Sequence, residues 1–448
     1  MTFEKIMPTT PEALEKYLAN GNFKGIGPAT AKKIVETFGN DTINVIKLEP
    51  QKLTKIKGIT KEKAFDIAAE FLKNWELWQI VGFLDKFGIG PQGAETVYKK
   101  LGEDALEQIE ANPYVLIDVA NKVNFEKVDK IALELGYELD NYKRVRSGIK
   151  YGLEKVALNG HSAVIYNHLV EYVKSLLNVS ENVVEEAIIN MKAKEEVIIE
   201  DRDDGTEWIY SKSFYDTELN IAEKLISLNN CDNVKYIKKI FKELEEIQKQ
   251  IGMNLSEKQK EAIESINDNN VCVITGGPGT GKTTIIKTIT KIYQQMNNYS
   301  LFELEKHLAL LAPTGRASKR ITEQSAFPSS TIHRFLKWNK EDDTFNINFD
   351  NPSEVDFVII DESSMIDTYL FYNLLLGLKK STKIVLIGDY NQLPSVGPGQ
   401  VLKDIIDSNC SNVVKLNKLY RQEENSNISL FAYNINNNII DFDIFNNG

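Results

Sequence analysis

Val271-Cys272-Val273-Ile274-Thr275-Gly276-Gly277-Pro278-Gly279-Thr280-Gly281-Lys282-Thr283-Thr284 decides how the rest of this 448-residue chain is read. A short buried-strand pattern runs straight into G-x-x-x-x-G-K-[ST], and a helical pattern follows from Thr284 to about Tyr293. The glycines let backbone N–H groups wrap a phosphate chain, and the helix N-terminus adds its dipole. Gly277, Pro278, Gly279, Thr280, Gly281, Lys282, Thr283 and Thr284 are therefore the expected nucleotide contacts. Lys282 would reach the β- and γ-phosphates of ATP, and Thr283 would coordinate Mg²⁺.

Three further strand patterns each end in a chemical signature. Val355 to Ile360 leads into Asp361-Glu362-Ser363-Ser364-Met365. A carboxylate pair there suits metal-assisted phosphoryl transfer, with Asp361 holding Mg²⁺ and Glu362 orienting and deprotonating water. Ile384 to Ile387 leads into Gly388-Asp389-Tyr390-Asn391-Gln392-Leu393-Pro394, where Gln392 can sense the γ-phosphate. Leu308 to Leu311 leads into Ala312-Pro313-Thr314-Gly315-Arg316-Ala317, followed by helical residues bearing Lys319 and Arg320. Ligand loops at the carboxyl ends of parallel strands are what an open α/β sheet predicts.

Composition bounds the alternatives. Apolar residues make up 42% and charged residues 26%, which excludes disordered and fibrous classes. No run of about 18 uncharged apolar residues and no signal-peptide core is present, so membrane and secreted readings fall away and the cytoplasm is the expected address. Cys231, Cys272 and Cys410 are far apart and odd in number, which argues against a disulfide framework or a zinc site. The net charge of −11 taken whole speaks weakly against nucleic acid. Its distribution speaks the other way. Residues 1–75 carry a net +3, and residues 312–340 hold Arg316, Lys319, Arg320, Arg334, Lys337 and Lys340 against Glu323 alone. Two basic segments on an acidic protein are compatible with a DNA-tracking groove.

The first 110 residues repeat a theme. Phe23-Lys24-Gly25-Ile26-Gly27-Pro28, Ile56-Lys57-Gly58-Ile59-Thr60 and Phe87-Gly88-Ile89-Gly90-Pro91 each precede a helical pattern. Each copy reads as helix, tight glycine hairpin, helix, with Gly25, Gly27, Gly88 and Gly90 placed to meet a DNA backbone. A glycine C-cap between two packed helices is the alternative, and Thr60 in the second copy favours it there. Residues 143–215 read as three helices plus a hairpin turning at Asp203-Asp204-Gly205, a winged-helix-like domain whose acidic turn favours a structural role. Residues 216–250 read as a charged helical connector.

Taken together, these motifs resemble the RecD/TraA-type superfamily 1 DNA helicases. The phosphate loop, Ala312 to Ala317, Asp361 to Met365 and Gly388 to Pro394 look like helicase motifs I, Ia, II and III. Leu419-Tyr420-Arg421-Gln422 looks like motif IV, which implies a γ-phosphate contact for Arg421. Leu255-Ser256-Glu257-Lys258-Gln259 looks like the Q motif, which implies that Gln259 reads adenine. Pro313, Thr314, Arg316 and Lys319 are implied to hold the strand, as are His333 and Arg334 of a motif Ib-like region, where a packed helix is the alternative. The stand-alone RecD-like branch also carries helix-hairpin-helix repeats, and Asn112-Pro113-Tyr114 and Gly160-His161 fall where it has similar residues, read here as fold-holding.

The expected architecture is multidomain. Tandem helix-hairpin-helix repeats (1–75), a further helical hairpin region (76–142), the winged-helix-like domain (143–215) and the connector (216–250) lead to one α/β RecA-like domain (251–433). The chain starts almost at the first hairpin, where this branch usually has a small β-domain, and its Asn-rich end (434–448) shows nothing matching motifs V and VI. The expectation is thus the front half of an ATP-driven 5′→3′ helicase of DNA repair or recombination, taking single-stranded DNA or duplex DNA with a 5′ tail, and unable to unwind alone. Two rivals stand beside it: a DNA-binding module with a silent nucleotide site, and a P-loop ATPase or kinase unrelated to DNA, which the Gly-Asp-x-x-Gln-Leu-Pro loop disfavours.

Overall fold

Buried apolar runs that alternate with amphipathic helices dictate a layered α/β body after residue 250, and helix-only patterns dictate a bundle before it. The computed structural model describes residues 14–15, 18–19, 26–84, 87–102, 104–119, 123–231, 240–252, 254–340 and 343–416. Gly25, Arg421 and the Asn-rich end lie outside the described residues. The chain divides into two compact units, Met1–Gly152 with Asn167–Ala193, and Leu153–Tyr166 with Lys194–Gly448.

The first unit is helical: α1 (Pro28–Phe38), α2 (Thr42–Leu48), α3 (Lys61–Leu84), α4 (Pro91–Leu101), α5 (Ala105–Ala111), α6 (Val115–Val119), α7 (Phe125–Glu134), most of α8 (Tyr142–Leu158), then α9 (Tyr166–Leu177) and α10 (Glu181–Ala193). Leu18, Ile34, Ile46, Leu53 and Phe71 close one core under the first two repeats. Burying each such side chain contributes about 1.5–3 kcal/mol. The hairpins behave differently from one another. Gly58 and Gly88 take positive φ, whereas Gly27 and Gly90 are extended and lead into Pro28 and Pro91 at the first helical turn. α3 runs unbroken across residue 75, where a boundary was expected, because neither Gly nor Pro occurs from Lys61 to Val81. Tyr114 is buried and donates its hydroxyl to Asp129 at 2.6 Å, and the buried Arg144 grips the same carboxylate through two nitrogens at 2.8 and 2.9 Å. That network gives Tyr114 a structural task.

The second unit holds two sheets and a two-stranded ribbon. β1 (Ala163–Ile165), β2 (Val197–Asp201) and β3 (Glu207–Ser211) form an antiparallel sheet in the order β1-β3-β2. Residues 143–215 therefore contain three helices and a hairpin, but they split between the two units. α11 (Lys212–Asn229) follows, N-capped by Ser211. Ile221, Leu225 and Leu228 on it are buried in the α/β core, so this part of the expected connector is a layer of the body. Their three- and four-residue spacing is a helical apolar stripe that charged neighbours had masked.

After α12 (Ile240–Ile251) and α13 (Glu257–Asp268) come β4 (Val271–Gly276), α14 (Lys282–Met296), α15 (Leu301–His307), β5 (Leu308–Ala312), α16 (Gly315–Ser325), β6 (Ser329–Thr331) and α17 (Ile332–Phe335). A ribbon of β7 (Trp338–Asn339) and β8 (Thr344–Phe345) precedes β9 (Phe357–Ile360), α18 (Thr368–Leu376), β10 (Lys383–Gly388), α19 (Val401–Asp407) and β11 (Asn412–Leu416). The six-stranded sheet is parallel throughout, in the order β11-β4-β10-β9-β5-β6. Cys272, Ile274, Val385 and Ile387 pack toward α12 to α16, while Val271, Val273, Ile384 and Leu386 pack toward α11, α18 and α19. Period-two alternation thus buries both faces, which is why these strands read as unbroken apolar runs.

Candidate nucleotide site

The loop between β4 and α14 shows why its residues are what they are. A Cβ on Gly276 would sit 2.8 Å from the Leu416 carbonyl oxygen and 2.8 Å from the Thr280 hydroxyl, so only glycine fits. Gly281 enters α14 at φ 86°, the left-handed region that glycine adopts without strain. Thr280 is buried and donates its hydroxyl to the Gly277 carbonyl at 2.8 Å, so its side chain braces the loop from within. Lys282 lies back across the loop, donating to the Gly276 and Gly277 carbonyls at 2.5 and 3.3 Å.

Four strands' worth of sequence converge here. A cavity of about 600 Å³ is lined by Gly277, Pro278, Gly279, Gly281, Lys282, Thr283 and Thr284, together with Asp361, Glu362, Gln392 and Gln259. Among the expected nucleotide contacts, Thr280 alone turns its side chain away from this cavity. Asp361 ends β9, its backbone N–H bonded to the Leu311 carbonyl at 2.9 Å and its carboxylate accepting the Glu362 N–H at 2.9 Å. Burial pushes the Asp361 carboxyl up to about 6, and the neighbouring Glu362 charge adds to this against the pull of the Glu362 N–H, Lys282 and Arg320. Glu362 sits at φ 52°, ψ 39°, a conformation that costs a non-glycine residue free energy and recurs at functional positions.

Gln259 lines the cavity with its amide already engaged. The oxygen accepts from the Ser256 N–H at 3.0 Å in a capping box, and the nitrogen donates to the Thr280 carbonyl at 3.4 Å. The side chain expected to read a base also ties α13 to the phosphate loop. Asn254, Lys287, Arg320, Ile321 and Gln324 line the same cavity and were missed from sequence. Lys287 was findable, four residues after Thr283 and so on the same helical face. Arg320 was not, because a run of basic residues does not say which of them borders the cavity.

The expected strand contacts lie apart from these groups. Arg316 and Lys319 are exposed on α16, and the Thr314 hydroxyl caps that helix at the Ala317 N–H, 3.2 Å away. His333 is half-buried, its ring 5.5 Å from that of Trp338 and 5.9 Å from that of Phe345, which is the packed-helix alternative, whereas Arg334 is exposed. Gly27 and Gly90 face open space, with nothing within 4 Å of where a Cβ would stand.

Residues 259–398 match the AAA domain family, residues 73–163 the HHH domain of the ATP-dependent RecD2 DNA helicase, and residues 22–71 the SAM-like helix-hairpin-helix tandem. Over these segments the chain is similar to RecD-like helicases. An ATP-dependent RecD2 DNA helicase of Deinococcus radiodurans is 26% identical over 92% of this chain and 56% of its own length. The RecBCD enzyme subunit RecD of Haemophilus influenzae is 34% identical over 33% of this chain and 26% of its own. A crystal structure of the Pif1 helicase from Candida albicans aligns with 22% identity and a TM-score of 0.33 over 43% of this chain and 46% of that one. The RecD-like chain described here thus spans about half the length of its Deinococcus relative. Among the described residues no helix is long and apolar enough to cross a membrane.

Proposed function

We propose that this chain is the nucleotide-hydrolysing and strand-gripping part of an ATP-dependent DNA helicase that moves 5′→3′ along single-stranded DNA in repair or recombination. The observation that carries this reading is the convergence of Lys282, Thr283, Asp361, Glu362 and Gln392 on one cavity at the carboxyl edge of the parallel sheet. DNA as substrate draws its support from the RecD2 likeness and the helix-hairpin-helix matches, and polarity from the motif resemblance alone.

The roles follow from chemistry. Lys282 leaves its carbonyl partners for the β- and γ-phosphates, exchanging two neutral acceptors for charged ones, which strengthens its hydrogen bonds. A hydroxyl and a carboxylate form a hard oxygen donor set, so Thr283 and Asp361 fit Mg²⁺, which when bound neutralises phosphate charge. Glu362 orients the attacking water, and Gln392 reports loss of the γ-phosphate to the loop after β10. The strand is held by Thr314, Arg316, Lys319 and Arg334, and by the hairpins at Gly27 and Gly88–Gly90.

Two variants test the division of labour with a fluorescent ATP analogue. Lys282→Ala should weaken binding by tenfold or more, since it removes about 1.5–3 kcal/mol of charged hydrogen bonding. Glu362→Gln should keep binding and suppress hydrolysis. Equal loss of binding in both variants contradicts these roles.

A further inference from the structure

α16 carries basic residues with two different destinations. Arg316, Lys319 and Arg320 are all exposed, but Arg316 and Lys319 lie outside the nucleotide cavity, and Lys319 approaches Glu323 at 3.9 Å on the helix surface. Arg320, the next residue, lines the same cavity as Lys282, Asp361 and Gln392. Its neighbour Ile321 is buried in the core between α16 and the sheet, and this anchor fixes which side of the helix Arg320 occupies. Gln324, one turn on, lines the cavity as well.

Arg320 makes no ion pair or side-chain hydrogen bond among the described residues, although its charge is felt at the Asp361 carboxyl. This exposed guanidinium lines the cavity with its donors uncommitted, so it is available to an arriving ligand. Its planar fork matches the oxygens of a phosphoryl group, which an ammonium meets only as a point charge. The loop N–H groups and Lys282 come from the β4–α14 side of the cavity, so the α16 side needs a cation of its own against a terminal phosphate.

We propose that Arg320 binds the γ-phosphate from α16, and that through this helix the nucleotide state is passed to the strand contacts Thr314, Arg316 and Lys319 in its N-terminal half. The inference rests on the nucleotide-site reading above. It adds a contact specific to triphosphate and a mechanical route: when the γ-phosphate leaves, α16 loses a ligand at Arg320 while still holding DNA through its N-terminal half.

The test compares a non-hydrolysable ATP analogue with ADP, both fluorescent, on the full chain as wild type, Arg320→Ala, Arg320→Lys and Lys282→Ala. Arg320→Ala should weaken the ATP analogue by about tenfold or more, as loss of a charged hydrogen bond does, and leave ADP within about twofold. Arg320→Lys should recover part of the loss. A merely structural role would weaken both nucleotides alike, and that outcome, or an unchanged preference for the analogue, overturns the Arg320 contact. If wild type binds neither nucleotide and Lys282→Ala changes nothing, the nucleotide-site reading itself fails.

Discussion

Lys383 and Asp361 are desolvated charges of opposite purpose. Asp361 faces the nucleotide cavity, where its raised carboxyl suits a group that gains a cation. Lys383, at the other end of β10, is buried and donates to the carbonyls of Ile266 and Asn267, the latter at 3.3 Å, closing the last turn of α13. Burial pushes its ammonium from 10.5 down to about 8. The sign is then fixed: between these values the unfolded chain binds more protons than the folded one, so this residue's contribution to stability rises with pH. Between about pH 7.5 and 9.5 the gain is about 2 kcal/mol relative to Lys383→Met, in which nothing titrates at that position. Urea unfolding of both proteins at the two pH values measures it, and a constant difference between them would show that the ammonium is not desolvated.

At the scale of elements, legibility tracked locality. The phosphate loop, the Asp361-Glu362 pair and the Gln392 loop were readable because each follows its own strand directly. The strand order was not: β4 lies between β10 and β11, which arrive more than a hundred residues later, and no local pattern records that. The β7–β8 ribbon was missed because two-residue strands are too short for a period to show. The place of α11 was missed because a stripe of Ile221, Leu225 and Leu228 among charges looks the same on a linker as on a packed helix. The hairpins add a prediction of their own. Gly27 and Gly90 are extended and open on the Cβ side, so valine fits the fold there and blocks only an approaching ligand. Gly27→Val with Gly90→Val should lower affinity for single- and double-stranded DNA of any sequence by about tenfold, with a shallower salt dependence, while the unfolding midpoint stays put. Unchanged DNA affinity would return both hairpins to the role of helix caps.

At the scale of the whole molecule, the hairpins belong to one unit and the nucleotide cavity to the other, while α16 carries the proposed strand contacts within the second. A motor requires that these sites influence one another. Coupling between two binding sites is reciprocal: if nucleotide changes DNA affinity by a factor, DNA changes nucleotide affinity by the same factor. The most direct measurement is the affinity of the full chain for single-stranded DNA at fixed salt, with and without a saturating non-hydrolysable ATP analogue, mirrored by analogue affinity with and without DNA. Coupled sites would shift each affinity by about fivefold or more, equally in the two directions and not at all in Lys282→Ala. DNA affinity that is identical with and without the analogue, in a chain that binds both, would show a DNA-binding module carrying an uncoupled nucleotide site.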